Sequence, residues 1–264
     1  MFKVLLVLVQ NFLSHSPKQN SLGQSFAYFF LFLHSNICIL GSKNKLKRFN
    51  QNLTFSNVIQ PSREELIQQR FSLKGNWNKD FFKNDNPIVL ELGCGKGEYS
   101  VYLAQKFPEK NFIGIDLKGA RFWAGAKESL EKKLPNVAFI RAQIELVTDL
   151  FTACEVDEIW ITFPDPQIKF KRTKHRLTNT QFLAKYKSIL KPKGFIHLKT
   201  DSEYMHGYTL GLLEGMCVVV DYAHHDLYSN PHAPNEATAI QTYYESLYLE
   251  QKKPITYLKF KFPE

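Results

Sequence analysis

Residues 88–97 read Ile-Val-Leu-Glu-Leu-Gly-Cys-Gly-Lys-Gly, and no other stretch limits the fold as tightly. A short apolar run that stops on glycines is the pattern of a strand buried on both faces, as in parallel sheets covered by helices. The glycines let the backbone turn sharply at the strand's carboxyl end and come close to a ligand. Downstream the alternation repeats. Apolar runs at 111–116, 137–141, 155–163 and 195–199 predict four further strands. Amphipathic stretches at 99–107, 120–134, 178–190 and 202–215 predict helices, the second ended by Pro135 and the third closed by Lys191-Pro192-Lys193-Gly194. Runs at 217–222 and 256–262 predict two more strands. This order is that of a doubly wound α/β sheet, whose ligand sits at the carboxyl ends of the strands.

Charge is segregated along this frame. The 264 residues carry a net +9. Residues 1–63 hold seven basic side chains and no acidic one, and residues 166–200 hold ten and none, so the remainder is net acidic. Clustered like charges repel one another unless a partner neutralises them, which points to a polyanion; a Lys-rich solvated face is the plain alternative. Cys38, Cys94, Cys154 and Cys217 lie far apart without a Cys-x-x-Cys pair. That argues against a disulfide scaffold or zinc ribbon and for a reducing compartment, the cytoplasm.

Residues 1–40 differ in character from the rest of the chain. Apolar runs at 4–9 and 26–33 fall short of the ~20 residues a membrane span needs, and no small-x-small cleavage site follows the first. The expected organisation is an apolar extension at 1–40 outside the working fold, a basic arm and lead-in at 41–86, and a single catalytic domain at 87–264. Neither a membrane nor an obligate protein partner is expected.

Asp116 ends the second predicted strand of the domain. A glycine loop with an acid at the end of the next strand suits a nicotinamide dinucleotide, whose ribose hydroxyls the acid binds. Two residues argue otherwise. Glu98 stands where the third glycine of that fingerprint falls, and Glu91 and Glu98 flank the place of a pyrophosphate. S-adenosylmethionine carries no phosphate, has a positive sulfonium, and offers ribose and amino donors to carboxylates, so it fits better. A glycine turn without a ligand remains the third possibility.

The sequences Glu91-Leu92-Gly93-Cys94-Gly95-Lys96-Gly97, Phe163-Pro164-Asp165-Pro166, the basic run 169–176 leading into Leu177-Thr178, Lys199-Thr200-Asp201 and Thr242-Tyr243-Tyr244-Glu245 together resemble the bacterial tRNA (guanine-N7)-methyltransferases. The resemblance extends from about Gly41 to Glu264. It implies a class I methyltransferase domain with a Rossmann-like, seven-stranded, mostly parallel sheet. It further implies S-adenosylmethionine as cofactor, tRNA as partner, and N7 of a variable-loop guanine as methyl acceptor. Carried over residue by residue, it places cofactor contacts on Glu91, Gly93, Gly95, Asp116, Gln143 and Asp165. Substrate contacts fall on Lys169, Asp201, Thr242, Tyr243, Tyr244 and Glu245. Gln143 stands where the family usually has Asp or Asn, Gln167-Ile168 replaces Trp-Pro or Trp-His, and Tyr243-Tyr244 replaces Lys-Phe.

The implied chemistry suits these residue types. Guanine N7 offers an in-plane lone pair with no proton to remove, so the task is alignment of N7, methyl carbon and sulfur. Asp165, stiffened by prolines on both sides, is the candidate catalytic residue: it can accept hydrogen bonds from the guanine edge or the cofactor amine, and its charge favours the cationic product. A turn or helix-capping aspartate is the structural alternative. Lys169, Lys171, Arg172, Lys174 and Arg176 are candidates for phosphate contacts, as is the arm at 43–48. Phe170 within the run is read equally as a base-stacking or a buried ring. His224, His225 and His232 lack carboxylate or Cys partners at ligand spacing and are read as surface histidines, with no metal. Rival readings are a methyltransferase of the same fold acting on another RNA, a protein or a small molecule, and a non-catalytic RNA-binding module.

Overall fold

Strand β2 (Ile88–Leu92) lies at the centre of one sheet, flanked by β3 (Asn111–Ile115) on one side and β5 (Val156–Thr162) on the other. Beyond β3 come β4 (Val137–Ile140) and β1 (Val58–Ile59); beyond β5 come β6 (Leu190–Thr200), β8 (Thr256–Lys261) and β7 (Val219–His224). The strands β1 to β6 pair in parallel, β8 runs antiparallel to β6, and β7 antiparallel to β8. The computed structural model describes residues 44–263, so the expected extension at 1–40 lies outside them. The chain divides into two units, Met1–Lys47 and Arg48–Glu264, and every strand of the sheet belongs to the second.

The doubly wound sheet expected from the sequence is present, with eight strands instead of seven. The added strand β1 is only two residues long, paired to β4 in register Val58 with Phe139. Hydrogen bonds from Phe139 N to Asn57 O and from Arg141 N to Ile59 O extend that seam. Strand β6 also starts earlier than its apolar run, at Leu190, and the chain passes so close to β5 that a Cβ at Gly194 would sit 2.8 Å from the Asp157 carbonyl oxygen.

Side chains alternate across the sheet, as the pleat requires. Leu90 and Leu92 join Ile113, Ile140, Ile161 and Leu198 in the core of one face. Val89 joins Phe112, Phe139, Trp160 and Tyr257 in the core of the other. The lead-in contributes to the first core: Trp77, in a π-helical turn (Trp77–Phe82), is fully buried, stacks on Phe151, and donates its indole N–H to Leu150 O at 3.1 Å.

The helices from Arg63 onward are α1 (Arg63–Ile67), α2 (Glu98–Lys106), α3 (Gly119–Glu131), α4 (Val147–Leu150), α5 (Thr180–Ile189), α6 (Glu203–Gly215), α7 (Asn235–Thr238) and α8 (Tyr243–Glu250). From β2 the chain moves outward to β3 and β4, then returns to pair β5 on β2's other side. That reversal opens a crevice at the carboxyl ends of β2 and β5, the place where ligands bind in sheets of this kind. Among the described residues no helix is long and apolar enough to cross a membrane.

Candidate active site

The loop after β2 is built from three glycines in left-handed conformation, Gly93 (φ 77°), Gly95 (φ 56°) and Gly97 (φ 78°). They differ in what surrounds them. A Cβ on Gly97 would lie 2.5 Å from the Phe139 ring, so this glycine serves close packing as well as the turn. A Cβ on Gly93 or Gly95 would meet nothing nearer than 3.9 Å, leaving room for a ligand against that side of the backbone. Gly93 N and Cys94 N both donate to Ile115 O, tying the loop to the end of β3.

Glu91 occupies the inner side of this loop and is almost completely buried. Its Oε2 accepts the Ser100 backbone N–H at 3.0 Å and the Ser100 hydroxyl at 2.5 Å; its Oε1 accepts Thr162 Oγ1–H at 2.8 Å. It thereby joins β2, α2 and β5 at the point where the crevice opens. Burial raises its pKa to about 7, the negative Asp116 adds to that, and the Ser100 and Thr162 hydrogen bonds oppose it. Oε1 has one protein donor and keeps acceptor capacity for another.

Asp116 stands half-buried just past β3. It accepts Gly95 N–H at 3.1 Å and Lys118 N–H at 2.7 Å, one on each oxygen, which fixes the carboxylate and leaves lone pairs for hydroxyl donors. Gly93, Asp116 and Gln143 line one cleft of about 240 Å³. Ala142, Ile144, Leu177 and Phe182 give it an apolar wall, and His175 also faces it. Arg63 donates to Gln143 Oε1 at 3.0 Å, so the amide N–H groups of Gln143 remain for a ligand acceptor. A carboxylate for hydroxyls, an apolar wall and an amide suit a nucleoside, so these residues fit S-adenosylmethionine.

Asp165 is exposed, in the loop leaving β5, and is not among the residues lining the cleft. Two residues around it, Phe163 (φ 48°) and Gln167 (φ 46°), hold left-handed backbone without being glycine, a strain that persists only where surroundings enforce it. They are enforced here. Phe163 N donates to Lys199 O at 2.8 Å, and Asp165 Oδ1 accepts Gln167 N–H at 3.2 Å.

Arg176 completes the clamp and corrects its reading as a phosphate contact. It is 4% exposed, donates to Gln167 O and Ile168 O at 3.2 Å each, and packs over Tyr208 and Tyr204 at 4.4 and 5.1 Å. A guanidinium so engaged has no face left for a phosphate. The other four cations of the run, Lys169, Lys171, Arg172 and Lys174, are exposed on a short 3-10 helix (Phe170–His175) and the residue before it. Phe170 is exposed as well.

The Thr242–Glu245 stretch divides in two. Thr242 and Glu245 form a reciprocal cap at the start of α8: Glu245 N donates to Thr242 Oγ1, and Thr242 N to Glu245 Oε2, both at 3.3 Å. Glu245 is also fully buried against Lys199 at 2.7 Å, and accepts the Tyr228 hydroxyl at 2.6 Å. Lys199, equally buried, donates to Ala237 O and Ile240 O. Tyr243 and Tyr244 instead face solvent, beside the glycine loop. Lys96 Nζ lies 4.3 Å from the Tyr243 ring centre, and Glu98 Oε2 accepts Tyr243 N–H at 3.3 Å. Asp201 follows β6, half-buried; with burial, its charge helps raise the Tyr248 phenol pKa.

The sequence reaches Lys199, His175 and Leu177 only as members of motifs, without the roles seen here, and misses Ser100 and Thr162, for which no motif carries a signal.

Residues 85–258 match a protein-family model described as "Putative methyltransferase". A protein of Christiangramia forsetii named tRNA (guanine-N(7)-)-methyltransferase is 68% identical over 222 residues, 84% of this chain and 99% of that protein. The chain belongs to the tRNA (guanine-N(7)-)-methyltransferase family. A member from Porphyromonas gingivalis is 52% identical over 213 residues, covering 80% of this chain and 86% of its own length. Among solved structures, one described as an antibiotic related methyltransferase superposes with a TM-score of 0.52 at 16% identity, over 78% of this chain and 96% of its own. The 16S rRNA methyltransferase KamB gives 0.52 at 14%, over 76% and 94%. These two likenesses carry the fold. The family's cofactor is S-adenosylmethionine.

Proposed function

We propose that this chain transfers the methyl group of S-adenosylmethionine to N7 of a variable-loop guanine in tRNA, in the cytoplasm. The observation that carries this reading is the 68% identity to a tRNA (guanine-N(7)-)-methyltransferase across 84% of the chain. The site supports it independently: a carboxylate-bearing nucleoside cleft and an acid-free cationic strap meet at one sheet edge.

When bound, S-adenosylmethionine supplies an electrophilic methyl carbon on a sulfonium. Asp116 accepts the ribose hydroxyls, Gln143 meets the adenine edge, and Gly93 and Gly95 leave space against the backbone. Glu91 holds the loop in shape and offers Oε1 to the cofactor's ammonium. Because guanine N7 carries its own lone pair, no residue would have to remove a proton as the sulfur–methyl bond breaks and the sulfur leaves as a neutral thioether. Asp165, held by the 163–167 loop, accepts hydrogen bonds from the guanine edge, and its negative charge stabilises the positive charge that develops on the base. Lys169 continues the same loop and contacts the nucleotide. Tyr243 and Tyr244 supply surface beside the cleft, while Thr242 and Glu245 position them through the helix cap. Asp201 lies on the substrate side of the same edge. The exposed Lys171, Arg172 and Lys174 bind phosphates.

Incubation with isotopically labelled S-adenosylmethionine and unmodified tRNA, followed by digestion to nucleosides, tests this. The expected product is 7-methylguanosine from the variable loop. Label in another nucleoside, or in none, rejects the reading.

A further inference from the structure

Phe170 is 91% exposed. An aromatic ring left in water forgoes the burial that ordinarily stabilises it. Nor is the ring on a frayed tail. Its turn is closed by hydrogen bonds from Arg172 N to Lys169 O at 2.8 Å and from Thr173 Oγ1 to Phe170 O at 2.7 Å. The buried Arg176 pins the two residues before Lys169 from below. The neighbours Lys169, Lys171 and Arg172 are all exposed cations. The fold therefore commits a structured turn to presenting one phenyl ring inside a cationic surface.

The chemistry of the site says what such a ring meets. In-line transfer requires the guanine N7 edge to reach the carboxyl edge of the sheet, next to a cleft sized for a nucleoside. A base held between stacked neighbours in folded RNA cannot deliver its edge there, so it must leave its stack, which costs unstacking energy. We propose that Phe170 is a positioning residue that enters the RNA stack in place of the departing guanine, while the flanking cations hold the phosphates on either side. An apolar ring offers only a π-face, so it recovers stacking without reading sequence. The inference rests on the tRNA methyl-transfer reading above and deepens it.

The test compares the full chain with Phe170→Ala and Phe170→Trp on unmodified tRNA. Three quantities are measured: the single-turnover methylation rate, tRNA affinity across a salt series, and the fluorescence of a tRNA carrying 2-aminopurine next to the acceptor guanine. For Phe170→Ala we expect a rate lower by about tenfold or more, an unchanged salt slope, and a smaller change in fluorescence on binding. Phe170→Trp should restore rate and fluorescence. The proposal is overturned if Phe170→Ala matches the parent in rate and fluorescence. It is equally overturned if the salt slope changes and Trp fails to rescue, since the ring then only supports the strap. A parent that methylates no tRNA removes the underlying reading and the proposal with it, and that failure shows in the parent arm alone.

Discussion

Two glutamates on the paired central strands, Glu91 buried and Glu158 half-buried, meet opposite conditions. Glu91, at the carboxyl end of β2, is held only by neutral donors, from Ser100 and Thr162, and its pKa rises to about 7. Glu158, at the amino end of β5, receives Lys110 Nζ at 3.0 Å and Trp160 Nε1 at 2.6 Å, with His197 Nε2 at 3.2 Å. Burial alone would raise its pKa too, but His197 and Lys110 outweigh that and bring it down to about 2. At one end of the sheet the protein supplies its own cation, Lys110; at the other it keeps a carboxylate without one. A carboxylate kept short of positive charge beside a cleft accommodates a cationic ligand, and perturbed groups of this kind concentrate at functional sites. Glu245 repeats the Glu158 pattern more completely, with Lys199 beside it and both side chains fully buried.

The sharpest way to break this comparison is to remove a carboxylate that the protein has already paired. Glu245→Gln leaves the Lys199 ammonium buried without its counter-charge and should cost about 3–5 kcal/mol. Urea unfolding reads this, and an unchanged midpoint would mean that Glu245 contributes nothing to stability. The same change at Glu91 should act on the ligand instead. Glu91→Gln should weaken cofactor binding by ~1.5–3 kcal/mol in calorimetric titration, with tRNA affinity nearly intact. Equal cofactor affinity in variant and parent would show that Glu91 serves the loop alone.

The proton sharpens the contrast. The folded chain holds the Glu91 proton up to about 7, whereas an unfolded carboxyl releases it near 4.5. The folded state therefore binds more protons in that window, and Glu91's contribution to stability declines as pH rises from 4.5 to 7. A cationic cofactor favours the ionised form, so cofactor affinity should climb between about pH 6 and 8 in the parent and stay flat in Glu91→Gln. Glu158 runs the other way: its contribution is complete above about 4.5 and is lost as pH falls toward 2. The smallest effect belongs to the strap. Replacing Lys171, Arg172 and Lys174 together by Ser should flatten the salt dependence of tRNA affinity by about two to three units. Stability should stay within about 0.5 kcal/mol and cofactor affinity should not change. A salt slope equal to the parent's would return the strap to an ordinary solvated surface.

The central strands are legible because burial on both faces leaves a continuous apolar run, and the observed ends of β2, β3, β4 and β5 fall within about one residue of those runs. The glycine loop is legible because left-handed backbone favours glycine. Strand β1 is not, since two residues cannot display a period. Arg176 looks like its neighbours because a cation's burial is decided by Tyr204, Tyr208 and two carbonyls, none of which a local pattern shows. The Lys199–Glu245 pair joins segments far apart in sequence, and the Glu158 cluster draws on a loop and two strands. Thr242 and Glu245 do carry the Thr-x-x-Glu signature of a helix cap, but the family resemblance assigns them to substrate contact.

The strap has a second edge. Its outer side bears the exposed Lys171 and Arg172, while His175 and Leu177, a few residues on, form part of the wall of the nucleoside cleft. One short segment is therefore boundary to both ligands, with Arg176 anchoring it between them. Any shift that RNA imposes on this segment alters the wall against which the nucleoside packs. Thermodynamic reciprocity then applies: whatever factor the cofactor adds to tRNA affinity, tRNA adds to cofactor affinity. Measuring one ligand's dissociation constant at saturating levels of the other gives that factor directly, and a factor of one would mean that the two edges move independently.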